Sequence, residues 1–224
     1  MAKSFNDTNG EAKKGGTYYK YKEGTQTLRL VGQIMPRYSY WKNSTEGKPM
    51  SVECLSFDRD LEKFTNVEKD WFQHHFPDIN CSWSYVGQII DPEDDTKTIL
   101  IPLKKKFWQQ VETVAGSLGD PTNSETGWDL VLTKAKTGAH AFNVEYTVEQ
   151  LKCKVRPLNE NELQAVADMP SLDTLVPRPT PEEQKAFIEK AYGVGNAGAE
   201  IKDENMSDED QSAMDEQDEQ QKAF

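Results

Sequence analysis

Six or seven segments of alternating polar and apolar residues, one amphipathic helix set among them, and turn-rich spacers predict a mainly β fold: an OB-fold-like small antiparallel barrel with an internal amphipathic helix and short inserted or appended helices. A Rossmann arrangement would need strands and helices in regular alternation, and the chain lacks that order. Its 224 residues suffice for one well-buried domain with appendages.

Residues 1–24 read as a flexible arm, because Asn9-Gly10 and Lys13-Lys14-Gly15-Gly16 break any regular element. Within it Tyr19 and Tyr21 alternate with Lys20 and Lys22, which either lie along an anionic partner or start a strand. The core is expected over 25–158. TQTLRLVGQIM places Leu28 and Leu30 on one face, with Arg29 between them on the polar face. In the run Arg37 to Lys42, Tyr38 and Tyr40 share a strand face, so they are either both packed on core or both displayed. A turn from Asn43 to Gly47 follows.

Residues 51–82 read as an inserted subdomain. Phe57, Leu61 and Phe64 have helical spacing, and so roughly do Val67, Trp71 and Phe72, giving one or two short helices. Residues 82–118 form the clearest block. Trp83 to Ile90 is a strand, Asp91-Pro92-Glu93-Asp94-Asp95 a loop, and Thr98 to Leu103 the returning strand. Lys104-Lys105-Lys106 then leads into Phe107, Trp108, Val111, Val114, Ala115 and Leu118, whose three-and-four spacing marks the amphipathic helix; Gly119-Asp120-Pro121 ends it.

Residues 127–136, 141–148 and 151–155 alternate as half-buried antiparallel strands do. Residues 159–199 read as a helical appendage with linkers: helices over 159–169 and 180–191, the second with Pro181 near its start and Gly193 after its end. The final segment, 200–224, has ten acidic residues against two lysines, and its composition predicts a disordered acidic tail. It stops on Phe224, an aromatic suited to anchoring in a pocket of a partner protein or of this one.

The formal charge of −12 is unevenly placed: residues 1–159 balance 21 basic against 21 acidic side chains, and the tail alone carries −8. The acidic total therefore leaves room for a basic surface on the core. Residues 1–24 do not read as a secretory signal, and no apolar run approaches the roughly 20 residues of a membrane span. A cytoplasmic protein is expected, with Cys54, Cys81 and Cys153 as reduced thiols.

Catalytic signatures are missing: there is no Walker-type phosphate loop, GxGxxG, nucleophile elbow or HExxH. Asp58 with Asp60, and Glu93 with Asp94 and Asp95, sit in ordinary turns. Cys54, His74 or His75, and Cys81 are the right ligand types for zinc. No CxxC pair accompanies them and adjacent histidines do not easily both ligate, so no cofactor is expected.

Single-strand binding needs flat apolar faces for bases and positive charge for phosphates. Arg37, Tyr38, Tyr40, Trp41 and Lys42 supply both in one run. Trp83 and Tyr85 share parity on a strand, and Lys104, Lys105 and Lys106 stand directly before Phe107 and Trp108. Phe107 and Trp108 lie on the apolar side of their helix, where at least one belongs to the core. Arg29 is a further phosphate candidate. Three lysines at a helix start oppose the macrodipole, a conflict that a bound anion would remove.

The order of these elements resembles the single-stranded-DNA-binding proteins of T4-type bacteriophages. The likeness is strongest in WSYVGQIIDPEDDTKTILIPLKKKFWQQV, continues in GWDLVLTKAK and the strand around Leu28 and Leu30, and covers residues 20–155. It implies an OB-fold cleft containing Tyr85, Lys104, Lys105, Lys106 and Phe107, cooperative coating of single strands, and an acidic C-terminal segment that regulates access and recruits replication proteins. Two features depart from it. The family's zinc subdomain uses one His and three Cys, whereas this chain keeps only Cys54, His74 or His75, and Cys81. Lys3, Lys13 and Lys14 are a thin counterpart of its basic N-terminal motif. The terminal Phe224 is closer to the tail tips of bacterial and T7-type phage single-strand-binding proteins.

The expected function is thus a non-enzymatic coat for single-stranded DNA during phage replication, recombination and repair, in the infected host cell. Its expected partners are single-stranded DNA, proteins docked through Phe224, and further copies along the strand. The competing reading is a phage structural or protein-interaction module, in which Tyr38, Tyr40, Trp83 and Tyr85 would all be packed away. An acidic DNA mimic would need ordered carboxylates on a rigid surface, whereas these acids crowd into the tail.

Overall fold

The computed structural model describes residues 18–139 and 143–194. Most of the predicted N-terminal arm, and the acidic segment with Phe224, lie outside the described residues.

The spine is β1 (Gly24–Asn43), one strand where the sequence suggests two short runs. Gly32 adopts φ 68°, a conformation that costs glycine nothing, and the register shifts there between Val31 and Met35. The bulge lets one strand serve three antiparallel partners. Residues 24–29 pair with β7 (Trp128–Lys136), residues 30–39 with β5 (Ser82–Asp91), and residues 39–43 with β2 (Pro49–Glu53). Beyond them, β6 (Asp94–Lys104) flanks β5, while β8 (Val144–Val148) and β9 (Lys154–Val155) pair with β7.

The resulting order, β6-β5-β1-β7-β8, overturns the expected OB-fold-like barrel. Closure requires the two edge strands to pair, and among the described residues β6 and β8 do not. The sheet is open and antiparallel, with helices on both faces, so the fold is mixed α/β. At the β6 edge Tyr18 bridges Leu100, and the Tyr19 N–H donates to the Leu100 carbonyl at 2.7 Å.

Strand alternation sends alternate side chains into different layers. On one face, α2 (Lys105–Leu118) packs Phe107, Val111 and Val114 against Leu28, Leu30, Ile89, Leu103 and Trp128. On the other, Val31 and Ile90 meet Leu158, just before α3 (Glu160–Ala167), and Ala165 of that helix. There too, Met35, Val86 and Leu100 meet Leu172 of α4 (Leu172–Leu175). A third cluster lies at the far end of β1, where Tyr40, Val52 and Phe57 meet Phe72 of α1 (Trp71–His75) and Ile188 and Tyr192 of α5 (Pro181–Tyr192). Asn159 and Thr180 start α3 and α5 with capping boxes closed by Glu162 and Glu183.

The segment 51–82 holds one short helix, α1, where Trp71 and Phe72 fall, but its first part departs from the helical reading. Phe57 and Phe64 are cross-strand partners in a small hairpin of β3 (Phe57–Asp58) and β4 (Lys63–Phe64). The Asp58 carboxylate accepts from the N–H groups of Asp60 and Leu61, both at 2.9 Å, and Glu62 sits at φ 49°, so the chain turns where the spacing suggested a helix. The expected strand over 151–155 is a 3-10 turn, Gln150–Lys152, followed by the two residues of β9. No helix among the described residues is long and apolar enough to cross a membrane.

Candidate nucleic-acid interface

On β5, Trp83 and Tyr85 project to one face because they differ by two positions. Their cross-strand partners on β1 are Tyr38 and Pro36. Ser84 is opposite Lys104 on β6, and α2 begins at the next residue, so Lys104, Lys105 and Lys106 arrive beside the aromatics of β5. The first turn of α2 also lays Trp108 over Tyr85.

These contacts form a row. Trp83 and Tyr85 meet edge-on at 4.6 Å between ring centroids, Tyr85 and Trp108 are 5.0 Å apart, and Tyr38 meets Phe64 of the small hairpin at 4.8 Å. Lys105 Nζ lies 5.9 Å from the centre of the Trp83 ring. Phe64 is 48% exposed, and Tyr38, Trp83, Tyr85 and Trp108 are partly exposed. Each ring thus keeps part of its surface open to solvent while edge-on and tilted contacts with its neighbours fix its position. Beyond Trp108 the row leads into a groove of about 320 Å³ lined by Gly32, Ile34, Val111, Glu112, Ala115, Asp120, Pro121 and Thr122. Trp108 Nε1 donates to Glu112 Oε1 at 2.8 Å, which fixes the indole at the mouth.

The electrostatics at the start of α2 are one-sided. Lys104 is the N-cap residue and supplies no side-chain cap, the first turn holds no acid, and all three lysines are exposed. Among the described residues, none of the three forms an ion pair. Their charge adds to the positive end of the helix dipole. Burial raises the Tyr85 phenol above its ordinary value, with Glu62 and Glu112 adding to the effect, so it is a neutral hydrogen-bonding group at physiological pH.

The twelve expected nucleic-acid-binding residues divide into three groups. Tyr38, Trp83, Tyr85, Lys104, Lys105 and Lys106 are brought together. Arg29, Tyr40 and Phe107 are buried. Arg29, expected on the polar face, is 3% exposed and donates from Nη2 to the Asn123 carbonyl at 2.7 Å, because the loop before β7 folds over it. Tyr40 stacks on Phe72 at 4.5 Å and donates to the Asp70 carboxylate, while Tyr38 on the same face packs on Phe57 and Phe64 of the small hairpin and stays partly exposed; the pair is neither all packed nor all displayed. Phe107 anchors α2 against Tyr21 and Tyr146. Arg37, Trp41 and Lys42 lie apart from the row. Arg37 is paired with Glu53, Nη2 to Oε2 at 2.6 Å; Trp41 is 52% exposed beside Ser51; and Lys42 Nζ sits 4.8 Å from the Phe76 ring centre.

Sequence reasoning missed Phe64 as a row member and left Trp108 between core and surface. Lys63-Phe64 beside a turn was the available signal for Phe64, but the spurious helical spacing hid it. For the zinc ligands, Cys54 and Cys81 meet: their hydrogen bond pushes the Cys54 thiol far up and holds Cys81 below its ordinary value. His74 and His75 turn instead to Trp71, at 5.5 and 6.1 Å. Among the described residues no three His, Cys, Asp or Glu side chains form a metal-binding group.

No family model matches the chain. It is similar to a probable ssDNA-binding protein of Escherichia phage T5, with 27% identity over 227 residues, spanning 84% of this chain and 86% of the phage protein. That distant likeness is to a T5 protein and does not single out the T4 or T7 type.

Proposed function

We propose that this protein binds and coats single-stranded DNA during phage replication, recombination and repair, without making or breaking a bond. The aromatic row beside Lys104, Lys105 and Lys106 carries the reading, because it pairs partly exposed rings with cations that have no carboxylate partner among the described residues. The relative in phage T5 supports it. The acidic segment 200–224, outside the described residues, competes with DNA for the lysines, and Phe224 docks on replication or recombination proteins in the infected cell.

The test is a titration of the full chain with single-stranded DNA, duplex DNA and RNA oligonucleotides across salt concentration. Single-stranded DNA is expected to bind most tightly, with affinity falling steeply as salt rises. Equal binding to duplex, or none to single strands, refutes the reading. Removing 200–224 is expected to tighten binding most at low salt; unchanged low-salt affinity refutes the competition. Deleting Phe224 alone is expected to abolish partner capture while DNA affinity stays constant.

A further inference from the structure

We propose a second nucleic-acid contact on the face that α1 and α5 form around Trp71, taking one base on the indole and the flanking phosphates on Lys69 and Lys185. The proposal rests on the single-strand-binding reading and extends it beyond the aromatic row. The Trp71 backbone N–H donates to the Gln184 side chain of α5 at 2.7 Å, fixing the short helix against the long one. Two ammonium groups then converge on one ring: Lys185 Nζ at 4.7 Å and Lys69 Nζ at 5.1 Å from its centre.

His75 lies near-parallel to the indole, at 25° and 6.1 Å, and His74 meets it edge-on. The one neutralising carboxylate among the described residues is Glu189, at 3.9 Å from Lys185 Nζ, and both side chains of that pair are 45% exposed. The indole attracts each ammonium, and a phosphate bound beside them would add a charge-assisted hydrogen bond to each.

Position connects this face to the row. Tyr38, Tyr40 and Lys42 share one face of β1. Tyr38 belongs to the row, Tyr40 is covered by Phe72 of α1, and Lys42 reaches Phe76 just past that helix. Four residue steps of strand lead from Tyr38 to Lys42, about 13 Å, so α1, which carries Trp71, lies next along β1 beyond the Tyr38 and Phe64 end of the row. The indole decides between occupants. An acidic peptide would use the ammonium groups alone, whereas a nucleotide uses ring and charge together.

The experiment compares the full chain with Lys69→Ser/Lys185→Ser and with Trp71→Ala, using labelled oligothymidylates of about 6 and about 20 nucleotides. The short oligomer is expected to bind all three proteins equally. On the long one, Trp71→Ala is expected to lose about 5- to 150-fold, and the lysine variant to show a log–log salt slope shallower by about 1.4. Equal losses at both lengths overturn the proposal, since Trp71 would then serve the fold or the first site. No loss at either length also overturns it, and capture of a polyglutamate peptide by the wild type but not the lysine variant would assign the face to an acidic partner. If the wild type binds neither oligomer, the single-strand reading itself fails.

Discussion

Replacing Lys104, Lys105 and Lys106 by serine should weaken DNA binding and stabilise the free protein at once. Each lysine is exposed and, among the described residues, free of ion pairs, so each can neutralise one phosphate. For single strands the log–log salt slope is about −0.7 for each phosphate neutralised, so losing three flattens it by about 2. Between 50 and 200 mM salt, the wild type should therefore lose about 18-fold more affinity than the variant.

Stability moves the other way. The lysines oppose the helix dipole, an effect of about 0.3–1 kcal/mol per charge at low ionic strength, and serine at position 104 adds the side-chain cap that α2 lacks. The lost contact between Lys105 and Trp83 offsets part of the gain. Anisotropy titration with labelled oligothymidylate gives the slope, and thermal unfolding gives the stability. A variant that binds worse and melts higher cannot owe its defect to misfolding. A salt slope equal to that of the wild type would refute the assignment of these lysines to phosphate.

Truncating Tyr85 or Trp108 to alanine should cost about 1–3 kcal/mol in DNA affinity per lost stacking face while leaving the salt slope unchanged; a shifted slope would mean these rings position the lysines instead. Phe72→Ala, which opens a cavity under Tyr40, should destabilise the protein by about 3–5 kcal/mol in urea unfolding. A smaller loss would show that the α1 layer collapses onto the gap. Acid should unfold the protein through Glu53. Its burial works to raise the carboxyl, but the hydrogen bonds and charges of Arg59 and Arg37 outweigh it and hold the pKa below its ordinary 4.5. A depressed folded value means that the stabilisation is present above about pH 4.5 and lost as pH falls through the folded pKa. Glu53→Gln should therefore show a shallower fall in urea midpoint below pH 4.5, and an unchanged fall would assign acid sensitivity elsewhere.

Periodicity reports which side chains share a face, but not what covers that face. Leu28 and Leu30 were legible as core because their neighbours in the pattern are apolar, and the α2 block was legible because its helical spacing runs unbroken from Phe107 to Leu118. The separation of Tyr38 from Tyr40 was not legible. It depends on Phe72, 32 residues further on in the sequence, arriving above one ring and not the other. The open sheet was hidden for a related reason. The count of strands suits a barrel, and only the lack of pairing between β6 and β8 among the described residues shows the sheet to be open. In 51–82 the failure was local: Phe57 and Phe64 are seven apart, a spacing that serves two turns of helix or the two arms of a tight hairpin equally well.

The fate of the arginines bears on what kind of binding this surface can perform. The chain has five, and each is tied into the fold. Arg29 donates to the Asn123 carbonyl, Arg37 and Arg59 to Glu53, Arg156 to Asp129 and Glu162, and Arg178 to Glu68 and the carbonyls of Leu55 and Phe57. Guanidinium groups read phosphate and guanine edges through paired, directional bonds, whereas an ammonium acts as a point charge. With the arginines engaged internally, contact with the strand in the proposed function falls to lysines and to rings that accept any base. A surface of that chemistry distinguishes single strands from duplex by access to base faces and is expected to be indifferent to sequence. Homopolymers of thymidylate and cytidylate should accordingly bind within about tenfold of one another, the spread that stacking strength alone allows, and a preference of several hundredfold would require a directional contact that these lysines cannot make.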